Sequence, residues 1–347
     1  MVPEKKDIRA LSLEELRAFF VAHGEQAFRA KQVYQWLWQK GIHQFQGMTN
    51  LSLSTRTLLE THFTINHIAI DTQQKSKDGT IKNAVRLHDN FVVESVLIPT
   101  EKRTTACVSS QVGCSLDCQF CATARLKRMR NLNPDEIYDQ VMSMDQQSRH
   151  YFDRPLSNIV FMGMGEPLMN YNNVVAAIAK ITDTKGMGMA PRRITLSTSG
   201  VPKMIKRLAD EYPKFKLAVS LHSARQEVRE KIMPFAHRFP LQDVMEAMQY
   251  WYEITKNRIT FEYVIWKGIN DEQADIDALI AYCKQVPSKV NLIQYNSIGD
   301  PNFVQASSAV VKKYQLQLER EGIVSTVRIS RGADIDAACG QLVNKES

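Results

Sequence analysis

Cys114-Ser115-Leu116-Asp117-Cys118-Gln119-Phe120-Cys121 places three of the chain's six cysteines within eight residues, in the spacing C-x3-C-x2-C. Cysteine thiolates are the usual protein ligands of iron–sulfur clusters. Three thiolates hold three irons of a [4Fe–4S] cube and leave the fourth iron without a protein ligand. That open corner can be chelated by the amino and carboxylate groups of a small molecule. The competing reading is a structural zinc knuckle, which needs four ligands, and Cys107 is the available fourth. Zinc is the weaker reading, because four-ligand sites usually come as two close pairs and this is a close trio with one cysteine well upstream.

Outward from this loop, apolar strands alternate with amphipathic helices. Strand patterns fall at about 104–109, 158–163, 194–198, 216–221, 259–265 and 289–295. One intervening helix opens with Asn133 as cap, Pro134 in its first turn and Asp135 and Glu136 beside them, and buries Ile137, Val141 and Met144. Others carry Val174, Ile178 and Ile181; Leu241, Val244, Met248 and Trp251; and Ile276, Leu279, Ile280 and Cys283. Six strand–helix units predict a parallel sheet curled into a barrel or partial barrel. A helix at about 306–321 and a strand at about 325–330 lead into the C-terminal segment.

Upstream the pattern changes twice. Residues 1–64 read as a helical accessory domain: Ser12 and Glu15 form an S-x-x-E capping box, and Gly41 stops a second helix carrying Phe28, Val33, Trp36 and Leu37. Its Arg29, Lys31, Tyr34, Trp36, Trp38 and Lys40 suit either packing or RNA contact. Residues 65–100 are a β-rich extension, with strand patterns at Ile65–Ile70, Thr80–Leu87 and Phe91–Ile98. Glu94 stands in the last of these among Val92, Val96 and Ile98; a carboxylate there is costly unless paired or used. The core domain then spans 101–347.

The chain has 347 residues, enough for a large core plus a smaller unit. It has no run of about 18 apolar residues and no apolar signal core in Met1-Val-Pro-Glu-Lys-Lys-Asp7, so the expectation is a cytoplasmic protein with no membrane partner. A net charge of +7 permits a polyanionic partner without requiring one. Basic residues gather at Lys102, Arg103, Arg125, Lys127, Arg128 and Arg130, and again at Arg192, Arg193, Lys203, Lys206 and Arg207. A run directly after the cysteine loop is well placed for phosphates.

In (β/α) barrels the chemistry sits at the C-terminal ends of the strands. Those ends carry the cysteine loop, Gly163-Met-Gly165-Glu166-Pro167, Ser197-Thr-Ser199-Gly200, Ser220-Leu221-His222 and Tyr295-Asn296-Ser297. Such a rim suits a zwitterionic cofactor with ribose hydroxyls: Glu166 for the ammonium, Ser197, Ser220 and Asn296 for polar contacts, and Gly165 for close backbone approach. Of the remaining cysteines, Cys283 reads as core, Cys107 ends the first barrel strand, and Cys339 lies in a small-residue segment that can fold over the barrel mouth.

Taken together, Cys107-Val-Ser-Ser-Gln-Val-Gly-Cys114, the cysteine trio, Phe161-Met-Gly-Met-Gly-Glu-Pro-Leu168, Thr195-Leu-Ser-Thr-Ser-Gly200, Ser220-Leu-His222 and Asp334-Ile-Asp-Ala-Ala-Cys-Gly-Gln-Leu342 resemble the RlmN/Cfr family of radical S-adenosylmethionine (SAM) RNA methyltransferases. The resemblance implies a partial (β/α)6 radical-SAM barrel, and a [4Fe–4S] cluster on Cys114, Cys118 and Cys121. It implies two S-adenosylmethionines per turnover, held by Gly165, Glu166, Ser197, Ser220, Leu221, His222 and Asn296. One would methylate Cys339; the other would give a 5′-deoxyadenosyl radical that activates this methyl for addition to adenine. Glu94 would remove the ring proton, and Cys107 would release the product through a transient disulfide with Cys339. The implied substrates are 23S rRNA before full subunit assembly, at an adenosine of the peptidyl-transferase region, and tRNA beside the anticodon. The implied electron source is an external donor such as flavodoxin, and the implied state is a monomer.

Pro167 favours carbon 2 over the carbon-8 chemistry of the Cfr-like resistance enzymes. Arg125-Leu-Lys-Arg-Met-Arg130 and an end at Ser347, with no longer basic tail, depart from the family pattern. The remaining alternatives are a radical-SAM enzyme on a non-RNA substrate and a zinc-containing nucleic-acid binder.

Overall fold

The computed structural model describes residues 5–211 and 214–343. Met1 to Glu4 and the chain end at Ser347, both used above, lie outside the described residues. Three helices come first: α1 (Leu13–Ala22), α2 (Arg29–Trp38) and α3 (Leu53–His62). A parallel pairing of β1 (Lys6–Asp7) with β2 (Phe63–Thr64) ties the ends of this module together. Ser12 and Glu15 make the expected capping box. The module is anchored by Arg9, whose guanidinium is buried on Asp139 (2.8 and 2.9 Å) and Asp135 (3.1 Å). Trp38 is buried edge-on against Tyr138, and Tyr34 lies under Lys180, so those two aromatics pack.

Strands β3 (Ala69–Lys75), β4 (Ile81–Arg86) and β5 (Val92–Pro99) form an antiparallel meander. Ile65 and Ile68 are buried but unpaired, so the first strand begins later than the sequence pattern suggested. Ile65 and Ile68 belong to the main hydrophobic core, whereas β3 is exposed along its length, mostly polar, and at an edge of the sheet.

The meander is continuous with the barrel sheet. Strand β6 (Thr104–Cys107) pairs antiparallel with β5. On its other side begin the parallel strands β9 (Asn158–Phe161), β10 (Ile194–Thr198), β11 (Lys216–Ser220), β12 (Ile259–Val264), β13 (Ser288–Ile293) and β14 (Val324–Arg328). The ten-stranded sheet is open, from β14 at one edge to β3 at the other. The six expected barrel strands are all present, and the segment read as a lead-in to the C-terminus adds β14 as a further parallel strand. Helices α4 (Pro134–Phe152), α5 (Tyr171–Thr182), α6 (Pro202–Glu211), α7 (Gln226–Ile232), α8 (Leu241–Thr255), α9 (Gln273–Cys283) and α10 (Ser308–Arg320) connect them. Two short strands, β7 (Gln111–Val112) and β8 (Arg130–Asn131), pair with each other and pinch the cysteine loop at its base.

Candidate active site

The C-terminal ends of the parallel strands open into a cavity of about 1000 Å3, counting its open mouth. Cys114, Cys118, Cys121 and Cys339 all line it, as do Gly165, Glu166, Ser197, Ser220, His222 and Asn296. Leu221 does not: its side chain is fully buried in the core, and its backbone accepts from Arg229 and donates to the Glu262 carbonyl.

The cysteine loop is held by local geometry. Gly113 has φ +76°, and a Cβ there would stand 2.5 Å from the Lys127 carbonyl, so only glycine lets the two ends of the loop touch. Asp117 accepts from the Phe235 amide at 2.9 Å. Burial and mutual repulsion with the other thiols push Cys114 up to about 12, Cys118 well above its ordinary value and Cys121 up as well. Three half-buried thiols that penalise one another as anions are a donor set that an iron–sulfur core would satisfy. The four-ligand zinc reading loses its expected fourth member, because Cys107 does not line the cavity with the other three.

Across from the loop, Gly165 has φ +92°, and a Cβ would sit 2.4 Å from Gln111 Cβ. This lets the backbone turn Glu166 into the cavity wall. The Glu166 carboxylate is buried and accepts from the amides of Leu168 (3.0 Å) and Ser199 (2.8 Å), while burial raises its pKa. His222 takes the left-handed region at φ 57°. Its Nδ1 accepts from the Val264 amide at 3.1 Å, and burial, with Arg229 nearby, lowers its pKa to about 3, so it stays neutral. Its ring packs edge-on to Phe120, next to Cys121.

The C-terminal segment reaches the cavity by bonds to distant parts of the chain. Asp334 accepts from Ser76 Oγ (2.6 Å) and the Lys77 amide (3.2 Å), and Asp78 accepts from the Gly332 amide (2.9 Å). Gly340 accepts from the Ala122 amide (2.7 Å), and Leu342 from Thr123 Oγ1 (2.6 Å). Asn296 Nδ2 donates to the Cys339 carbonyl (3.2 Å), and Gln341 Nε2 to the Ser297 carbonyl (3.1 Å). Asn296 thus contacts the cysteine segment as well as lining the cavity. All six cysteines are free thiols, Cys107 and Cys339 included, so no standing disulfide joins them. Cys107 is buried at the end of β6, and burial, then Cys339, pushes it up to about 12.

Glu94 is buried, but its partner comes from the next strand: Lys82 Nζ lies 3.2 Å away, and the Val343 amide donates at 2.8 Å. Burial raises its pKa against the pull of Lys82.

Two cavity residues escaped the sequence reading. Glu262 on β12 is buried; its Oε1 accepts from Asn291 (2.8 Å), and its Oε2 has no hydrogen-bond partner among the described residues. Arg328 on β14 stands 3.9 Å from Glu262, and its charge is favoured first by Cys339 and also by Cys107. Glu262 carried a signal, a carboxylate inside the apolar run Ile259–Val264, whereas Arg328 carried none.

The basic groups do not all gather at the mouth. Lys102 and Arg103 precede β6, at the opposite end of the strands, and Arg103, Arg193 and Lys289 all act on Lys216 there. Arg130 is committed to Asp89 (2.5 Å) and Glu136 (2.7 Å), and it fills the space among His88, Asp89 and Glu136 that a cation would take. Arg125, Lys127 and Arg128 line a separate hollow behind the cysteine loop.

Residues 108–280 match the radical SAM superfamily, and residues 6–65 match the ribosomal RNA large subunit methyltransferase N-terminal domain. The chain is 67% identical over 343 residues to a probable dual-specificity RNA methyltransferase RlmN of Christiangramia forsetii, covering 99% of this chain and 97% of that protein. It is 42% identical over 340 residues to the dual-specificity RNA methyltransferase RlmN of Geotalea uraniireducens, covering 98% and 97%. The crystal structure of a radical SAM methyltransferase from Sphaerobacter thermophilus superposes with a TM-score of 0.91 at 37% identity, covering 97% of this chain and 99% of that one.

Proposed function

From a chain that belongs to the RlmN family of dual-specificity RNA methyltransferases, we propose a carbon-2 adenosine methyltransferase whose two lone thiols carry and release the methyl carbon. The protein is a radical-SAM enzyme that uses a [4Fe–4S] cluster and S-adenosylmethionine. Its proposed substrates are an adenosine of 23S rRNA before full subunit assembly and the adenosine beside the anticodon of some tRNAs. It is proposed to act as a cytoplasmic monomer reduced by a donor such as flavodoxin. Among the described residues no helix is long and apolar enough to cross a membrane.

The observation that carries this reading is the meeting of Cys339, from the far end of the chain, with the cysteine trio at one cavity, while Cys107, buried at the end of β6, is near enough to feel the charge of Cys339. A generic enzyme of the superfamily needs neither lone thiol. When bound, the cluster and cofactor supply a sulfonium methyl and a hydrogen-abstracting carbon radical. Cys114, Cys118 and Cys121 would hold the cluster, and Glu166, Ser197, Ser220 and Asn296 the cofactor. Cys339 is proposed to take the methyl and to present its carbon to the adenine. Carbon 2 of adenine is electrophilic, so the carbon must arrive as a radical rather than as a sulfonium methyl. Glu94, with Lys82 beside it, is proposed to accept the ring proton. Once the adduct has lost the ring proton and its one excess electron, for which the cluster would be the acceptor, the Cys107 thiolate attacks the Cys339 sulfur; the C–S electron pair leaves with the carbon, which takes a proton to become the methyl group, and a Cys107–Cys339 disulfide remains for reduction.

The test is anaerobic reaction with S-adenosylmethionine, a reductant and unmethylated rRNA or tRNA, followed by mass spectrometry of the nucleosides. 2-Methyladenosine is expected; 8-methyladenosine would move the enzyme to the sibling chemistry. Cys107→Ala is expected to leave RNA covalently joined to the protein through Cys339. Free RNA with an intact cluster would count against the scheme.

A further inference from the structure

The cysteine loop has a second face. Behind it lies another hollow, lined by Cys114 together with Lys127, Arg128, Met169 and Arg238. We propose that this hollow docks a small acidic electron-carrier protein that reduces the cluster, an inference resting on the reading of Cys114, Cys118 and Cys121 as cluster ligands.

Position is the first argument. Cys114 lines both hollows, so a carrier seated in the rear one stands a single loop away from the irons. The front cavity holds the strand ends, Cys339 and the cofactor rim, and it is covered by substrate during the reaction. RNA must bring its base to Cys339, which lines only the front cavity. An electron needs proximity and no such contact.

Charge is the second. Lys127, Arg128 and Arg238 are exposed, and among the described residues none is held in an ion pair. Arg125 beside them is paired with Asp300 at 2.6 Å. The lining holds one acid, Asp117, which is exposed but has one oxygen bonded to the Phe235 amide, so three unpaired cations face a single carboxylate. A positive collar around a small concavity steers an acidic partner and fixes its orientation more than it adds affinity. Met169, 45% exposed at the rim, supplies an adaptable apolar contact. A small, wet, charged patch of this kind suits the brief encounters of electron-transfer pairs. In the step itself the carrier loses one electron and the cluster gains it; no bond to the protein forms or breaks.

The experiment compares the full chain with Lys127→Glu/Arg128→Glu/Arg238→Glu, using flavodoxin as the probe. Two readouts are taken: the dissociation constant for oxidised flavodoxin by calorimetry at low and moderate salt, and cofactor cleavage driven by reduced flavodoxin against cleavage driven by dithionite. The triple variant is expected to bind flavodoxin at least about tenfold more weakly, with a flatter salt dependence. Flavodoxin-driven cleavage should fall by a similar factor while the dithionite rate holds. The neutral Lys127→Gln/Arg128→Gln/Arg238→Gln variant should fall between. Unchanged flavodoxin affinity overturns the proposal, and a selective loss of RNA affinity assigns the collar to RNA instead. Loss of iron and of the dithionite rate in both variants makes it structural. A wild-type protein that never holds a cluster would sink the cysteine reading itself, which is a separate outcome.

Discussion

The cysteine loop and the C-terminal segment both bring thiols to one cavity, yet they are built in opposite ways. The loop is closed on itself by the Gly113–Lys127 approach and by the β7–β8 clasp, and Asp117 adds one long-range bond, to the Phe235 amide. The C-terminal segment has short local turns and owes its place to the hairpin at Ser76–Asp78, to Ala122 and Thr123, to Asn296 and Ser297, and to Glu94. The difference matches what each is proposed to do. Cluster ligands must not move. A thiol that takes a methyl from one molecule and gives its carbon to another must be positioned by contacts that can yield one at a time.

Breaking the local side should have the largest effect. Cys118→Ala is expected to drop iron and sulfide in the purified protein to background and to abolish methylation. The melting temperature of the cluster-free chain should stay close to that of cluster-free wild type, because the contacts that close the loop do not pass through this thiol. A collapse of the fold on losing Cys118 would show that the loop is less self-contained than its geometry indicates. Cys107→Ala comes next: the first turnover proceeds, and the adduct then blocks a second.

Glu94 ties the C-terminal segment to the meander, since it sits on β5 and accepts from the Val343 amide. Glu94→Gln keeps the size and removes the proton acceptor, and a general base is worth about 10²- to 10⁴-fold. Burial raises the Glu94 pKa from 4.5, with Lys82 pulling the other way. Its contribution to folding is therefore greatest below pH 4.5 and is lost as pH rises through the raised value, whereas catalysis needs the ionised form. The wild-type rate should fall on the acid side with a midpoint above 4.5, and that limb should vanish in Glu94→Gln. A limb that persists in the variant assigns the proton to another group.

The same contrast explains what was legible in the sequence. The cysteine trio, the helix start at Asn133-Pro134 and the strand at Ile194–Thr198 are local patterns, and each could be read from a short window. Cys339 could be flagged as a thiol, but no pattern near it points to Ala122 or Ser76. Lys82 was invisible as the partner of Glu94 because strand register, with Ala84 opposite Glu94, brings it diagonally across from the next strand. Lys102 and Arg103 looked close to the cysteines along the chain, yet β6 carries them to the other end of the barrel. Arg328 became a cavity residue only because β14 joined the sheet. Leu221 followed its motif neighbours in sequence, but strand alternation turns its side chain into the core.

The smallest expected effect tests the non-local side most finely. Gln341 is buried; its Nε2 donates to the Ser297 carbonyl and its Oε1 accepts from the Ala338 amide at 3.2 Å, so one side chain both closes the turn around Cys339 and ties it to the loop after β13. Gln341→Met keeps the volume and loses both bonds. At about 1 kcal/mol net for each, the placed state of the segment loses about 1–2 kcal/mol, which is roughly 5- to 30-fold in population. Methyl transfer to RNA should slow by about that factor. Iron content should not change, and 5′-deoxyadenosine formed per methylated adenosine should rise, because the radical is still made while the carbon acceptor is less often in place. Iron loss in this variant would mean that the segment supports the cluster loop as much as the loop supports the segment, and the contrast between a fixed and a yielding region would fall.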